Sequence, residues 1–214
     1  MASNATSIRN TVAPNLPIGP VEYNQNYQDQ FSNALRLYFN QVDNVTGALL
    51  GSTGGQYLGN TYISVQNNSN VTATANTATL VTLNTLDYSS GMTMANSAIT
   101  VSQNGIYNLQ FSIQLQNNDN EIHYADIWLR KNGTDLPATA SRIVLSARKN
   151  ASEFNYALAA ANFFISLNTG DTVSLYWATD FNTVSLVSLP ALTTPYARPV
   201  SPSVVATLSF VSRL

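Results

Sequence analysis

The chain has 214 residues, 44% of them hydrophobic and only 9% charged, with a net charge of −2. That hydrophobic share is enough to build a core, unlike a disordered chain, and the lack of clustered Lys and Arg argues against binding nucleic acid by phosphate neutralisation. Cys is absent and His123 is the single histidine, which excludes disulfides, thiolate chemistry, cysteine-based zinc sites and multi-histidine metal sites.

No run of about 18 apolar residues is present, so no membrane span is expected. The first residues lack a basic region followed by an apolar run, so no secretory signal is expected either. Asn, Thr, Ser and Gln take the place of surface charge. A neutral polar coat suits a protein that packs into a large assembly, because like-charge repulsion between copies is weak.

Residues 1–22 carry Pro14, Pro17 and Pro20. Proline fixes φ, removes a donor and holds the preceding residue extended, so this segment reads as an extended arm, with a disordered tail as the alternative. Residues 23–44 read as the one helix. Tyr27, Phe31, Ala34, Leu35, Tyr38 and Val42 recur at helical spacing on one face, while Leu37 and Phe39 lie off it. Apolar residues on more than one face point to a helix covered on several sides, by its own head, by sister copies or by another protein. Residues 45–60 contain Gly47, Gly51, Gly54, Gly55 and Gly59 and read as a flexible linker. The stretch has no Lys and no phosphate-cradling pattern.

From residue 61 to 214 the period changes to two. In residues 105–116, Tyr107, Leu109, Phe111, Ile113 and Leu115 alternate with polar side chains, the pattern of a half-buried antiparallel strand. Similar runs cover 127–130, 163–167, 173–177 and 204–210, with weaker ones at 62–66, 79–83 and 98–102. Asn-Gly and Gly-Asp pairs at 104–105, 132–133 and 170–171 supply turn residues that tolerate positive φ. Many short strands punctuated this way predict a mainly β fold, an antiparallel β-sandwich or jelly-roll, preceded by an extended arm and one short helix.

No constellation reads as an active site. The acidic run Asn117, Asp119 and Glu121, with Asp126 nearby, lacks the spacing of a calcium loop and reads as a solvated hairpin loop, and the same residues form the candidate recognition loop. His123, between Ile122 and Tyr124, reads as a packed strand residue, with a pH switch as the sharper alternative. Arg142, Arg148 and Lys149 read as a solvated strand end. Tyr88, Trp128, Tyr176, Trp177 and Phe181 can form a sugar-binding surface, but aromatic residues of a sandwich are more often core or interface. No catalytic, cofactor-binding or metal-ligating residue is assigned, and the chain is expected not to be an enzyme.

Three segments resemble the trimeric jelly rolls of the complement globular-head and tumour-necrosis-factor superfamily. They are Asn104-Gly105-Ile106-Tyr107 leading into a strand, Ile127-Trp128-Leu129-Arg130-Lys131-Asn132-Gly133, and Leu167-Asn168-Thr169-Gly170-Asp171-Thr172-Val173. The resemblance implies a homotrimer. The N-terminal stretches Leu16-Pro17-Ile18-Gly19-Pro20-Val21-Glu22-Tyr23 and Leu35-Arg36-Leu37-Tyr38-Phe39-Asn40-Gln41-Val42 resemble a module of structural proteins of tailed bacteriophages, cyanophages in particular. This second resemblance implies a virion component assembled in the host cytoplasm. The expected role is a trimeric capsid decoration (cement) protein, held on the major capsid protein by its arm and by Tyr27, Phe31, Leu35 and Tyr38. The alternative is a tail-associated receptor-binding or adaptor protein that contacts its target through loops near 117–121 and 190–202.

Overall fold

A computed structural model describes residues 11–50 and 60–213. The chain divides after Gly59 into two compact units.

In the first unit, residues 11–20 are neither helix nor strand and are mostly exposed. Helix α1 spans Gln25–Leu50. Asn24 caps it: its side-chain oxygen accepts the Tyr27 N–H at 3.1 Å and its carbonyl accepts the Gln28 N–H at 3.1 Å, satisfying donors that have no partner inside the first turn. The Tyr27 hydroxyl donates to the Pro17 carbonyl at 3.2 Å, tying the arm to the helix start. The helix is longer than predicted. Residues 45–50, read as the start of a linker, are helical. A single interior glycine, Gly47, costs only about 1 kcal/mol relative to alanine, and Val45, Ala48 and Leu49 continue the apolar stripe. The rest of the predicted linker, residues 51–59, lies outside the described residues.

The second unit is the β head. Its strands are β1 (Tyr62–Asn67), β2 (Val71–Thr72), β3 (Thr79–Leu80), β4 (Thr85–Ser90), β5 (Met92–Ala95), β6 (Ala98–Val101), β7 (Gly105–Asn117), β8 (His123–Lys131), β9 (Thr134–Asp135), β10 (Ser141–Leu145), β11 (Asn155–Leu167), β12 (Thr172–Thr179), β13 (Val184–Leu186) and β14 (Val204–Ser212). One sheet runs β11-β7-β14-β1-β4, with β13 beside the end of β7 and β2 on β13. The other runs β10-β8-β12-β6-β5, with β3 on β12 and β9 on β8. All pairs are antiparallel, and the two sheets form the β-sandwich that the alternation predicts.

The core is the inward half of each strand. Leu109, Phe111, Ile113 and Leu115 of β7 and Ala206 and Leu208 of β14 belong to the same buried cluster as Ile127 and Leu129 of β8 and Val173, Leu175 and Trp177 of β12. Each fully buried side chain of this size contributes about 1.5–3 kcal/mol. Strands β4, β5 and β10, which lack clean alternation, escaped the sequence reading, as did β2, β9 and β13, which are two or three residues long. The first half of β11 escaped as well, because Ala157, Ala159 and Ala161 are small enough to hide the pattern.

The turn at Asn132-Gly133 has φ of 51° and 79°, the paired positive values that match a two-residue hairpin to strand twist. Gly105 is needed for a different reason. Its φ is not positive; instead a Cβ there would run into the Phe210 ring and lie 2.6 Å from the Ser212 carbonyl oxygen.

The register gives the head two ends. Tyr62 pairs with Ser209, and Ile106 with Ser212, so the chain enters the head at the end that also holds Gly105 and the turn at 168–171. At the other end Asn117 pairs with Asn155 and Val184, and Leu145 with His123. There the loops 118–122, 146–154, 180–183 and 187–203 gather.

Candidate functional site

On α1, Tyr27, Phe31, Leu35 and Tyr38 share the stripe that their spacing predicts, and each is half-buried. The Tyr27 ring stacks on Phe31 at 6.1 Å. No residue of the helix is fully buried. Off the stripe, Leu37 is 61% and Phe39 58% exposed. A helix of this composition gains little from propensity alone, so its stability has to come from packing of its apolar face.

The candidate recognition loop needs correction at its first residue. Asn117 is fully buried at the end of β7, and its amide donates to the carbonyls of Glu121 at 2.8 Å and Ser146 at 2.9 Å. Its side-chain oxygen accepts the Asp119 N–H at 2.9 Å. It shapes the loop from inside and has no surface to offer. Glu121 is exposed, and Asp119 is engaged by His123.

His123 is buried and engaged at both ring nitrogens. It is 7% exposed and its ring lies parallel to Phe181 at 4.9 Å. Nδ1 faces the Asp180 carboxylate at 3.2 Å, and Nε2 faces Asp119 at 3.1 Å. A neutral imidazole has one donor and one acceptor; only the imidazolium donates at both nitrogens. Burial of the ring disfavours its charge, yet the two carboxylates outweigh that and raise its pKa above the ordinary histidine value. Asp119 is lowered, first by its bond from His123. For Asp180 burial pushes upward, but the Tyr124 N–H, donated at 2.8 Å, and the His123 ring bring the net value down. This pin joins the 118–122 loop to the 180–183 loop. The reading of His123 as a packed strand residue is right as far as it goes. Asp119 is close enough in sequence to have been noticed, but Asp180 is 57 residues away and no local signal marks it.

The two outer faces of the head differ in charge. Across the seven strands of the β7 sheet the one charged residue is Asp87, and it accepts bonds from Ser64 and Gln66. Exposed apolar residues stand at both margins of this face: Tyr62 and Tyr88 on β1 and β4, and Tyr156, Leu158 and Phe164 on β11. Asn108, facing outward on β7, has a side-chain oxygen shielded from solvent and without a partner. The β8 sheet carries Asp126, Arg130, Lys131, Asp135 and Arg142 instead. There Arg142 grips Asp126 through two bonds of 2.8 Å, Arg130 lies 3.8 Å above the Tyr176 ring, and Trp128 donates to Asp135 at 2.6 Å. At the entry end, Asp171 accepts from Lys131 at 2.8 Å, Asn132 at 2.7 Å and the Asn168 N–H at 2.7 Å, and is lowered to about 2, Lys131 being the largest cause.

The five aromatics considered for a sugar surface do not come together. Trp177 is core, Phe181 covers His123, Tyr88 stands on β4, and only Trp128 and Tyr176 are neighbours, at 6.3 Å. Arg142 and Arg148 are engaged as well, Arg148 with Asn118 at 3.2 Å, and Lys149 pairs with Glu153 at 2.8 Å. Among the described residues no helix is long and apolar enough to cross a membrane, and no group of three or more His, Asp or Glu is placed to hold a metal ion. No known protein-family model matches this sequence, and no curated protein matches it.

Proposed function

We propose that this chain is a virion structural protein, a self-associating β head fastened to a bacteriophage particle by its N-terminal arm and helix, with capsid decoration as its role. The observation that carries the reading is a division of labour within the chain. The head buries its own core and supports itself, whereas α1 has an apolar stripe and no buried residue, as an element does that packs against something else. The nearly uncharged outer face of the β7 sheet supports association of heads as a homotrimer, since identical copies approach there without like-charge repulsion. No catalytic, cofactor, membrane or nucleic-acid role enters this reading.

The test is incorporation. Phe31→Asp with Leu35→Asp should leave the head folded and remove the protein from assembled particles, scored by gel and cryo-electron microscopy of purified virions. Normal incorporation of the double variant rules out the helix as the anchor, and location solely at the tail rules out decoration. A tail-associated recognition role is the second reading. One observation favours it: the exposed loops, with Ile122, Tyr196 and Val200, gather at the end opposite to where the chain enters the head. Blocking of adsorption by antibodies against that end would decide for it.

A further inference from the structure

The extension of α1 to Leu50 changes what its apolar stripe means. Phe31, Leu35, Tyr38, Val42, Val45 and Leu49 follow one another at intervals of four, three, four, three and four. That is a heptad seam with Leu35, Val42 and Leu49 at position a and Phe31, Tyr38 and Val45 at position d. A 3.5-residue seam drifts by about 20° per heptad on a straight helix, and supercoiling with a helix of the same kind keeps it in line. The polar residues agree. The charged residues of the helix, Asp29, Arg36 and Asp43, recur every seven residues and all fall at position b, away from the seam. The flanking positions hold no charge: Tyr27, Ala34, Gln41 and Ala48 on one side, Ser32, Phe39 and Thr46 on the other. Copies of this helix therefore meet without repulsion.

We infer that α1 is one strand of a parallel, in-register coiled coil formed with sister copies of the same chain, about 39 Å long at 1.5 Å per residue. The small and aromatic residues Tyr27, Ala34 and Ala48 beside position a, with Phe31 and Tyr38 at d, widen the apolar stripe beyond a two-stranded seam, so the bundle is three-stranded. This inference does not rest on the virion reading, nor on how heads associate. It reassigns Phe31, Leu35 and Tyr38 from contact with the particle to contact between copies. Leu37 and Phe39 stay outside the core of the bundle for the particle.

The sequence has no cysteine, so a single introduced thiol reports only contacts between chains. A disulfide needs Cα atoms within about 7 Å, a condition met at position d of a parallel coil and not on its outer side. In the full chain under mild oxidation, Val45→Cys should link chains in pairs while Asn40→Cys, at position f, should not, and sedimentation of the reduced protein should give a trimer. Equal linking of both variants, or linking of neither, overturns the proposal. So does linking only between Phe31→Cys and Leu49→Cys chains, which marks an antiparallel pair. Leu35→Asp with Val42→Asp should lose the helical circular-dichroism signal and keep the near-ultraviolet signal of the head. Retention of the full helical signal also overturns the proposal.

Discussion

The head and the helix obey opposite rules. In the head, strands of both sheets bury one face against each other, and side chains such as Trp177, Ile113 and Leu129 are fully removed from water. In the helix, with 26 residues, none is buried. Hydrophobic burial is the main favourable term in folding, so the head holds its stability within one chain while the helix depends on neighbours. The difference teaches where a mutation is felt: inside the head as unfolding, along the helix as lost assembly.

The strongest test of that contrast is one deletion in each region. Leu109→Ala opens a cavity in the core and should lower head stability by about 2–5 kcal/mol, read from urea denaturation of the full chain. Leu35→Ala on the helix should leave the midpoint of the head unchanged, and an equal shift in both variants would break the comparison. Next in size is Gly105→Ala, where the added methyl meets the Phe210 ring and the Ser212 carbonyl. Overpacking of this kind costs about 1–3 kcal/mol, measured the same way.

A smaller, pH-dependent effect belongs to the His123 pin. The pKa of His123 is raised in the folded head, so its contribution is complete below the unfolded value of about 6.5 and is lost as pH rises through the folded value. The carboxylates run the other way. Asp119, Asp180 and Asp171 are lowered, so their contributions are present above an unfolded value of about 4 and are lost as pH falls, for Asp171 towards about 2. The denaturation midpoint of the head should therefore be highest near pH 5 and fall on both sides. His123→Gln should flatten the decline on the alkaline side and leave the acid side chiefly to Asp171 and to Asp180, which keeps the Tyr124 N–H. The smallest effect is expected at Arg142, whose side chain is 66% exposed. Solvent screens even its two-bond pair with Asp126, so Arg142→Ala should shift the denaturation midpoint least of these variants, and less still in high salt.

Much of the head was legible in the sequence. Strict alternation in residues 105–116 marks β7 because a half-buried strand repeats every two residues whatever it pairs with. The Asn132-Gly133 turn was legible for a similar reason, since few residues accept positive φ. β4, β5, β10 and the alanine half of β11 were not, because an edge strand can be exposed on both faces and a small side chain can fill an inward position; β2, β9 and β13 are too short to show a period. At the candidate sites, the stripe through Tyr27, Phe31, Leu35 and Tyr38 was read directly. The burial of Asn117 was not, because a polar residue at the end of a strand turns inward only where backbone carbonyls wait for it, here those of Glu121 and Ser146.

By itself, then, the sequence determined the periodicities: two in the head, and the helical stripe ahead of it. These are local properties of backbone geometry and side-chain polarity. The tertiary structure alone decided which distant residues meet. It set Asp180 against His123, placed Phe210 over Gly105, kept charge off one sheet face, and carried the helix on to Leu50 so that Val45 and Leu49 complete the seam. Each of these depends on contacts or helix propagation that no short window of sequence contains.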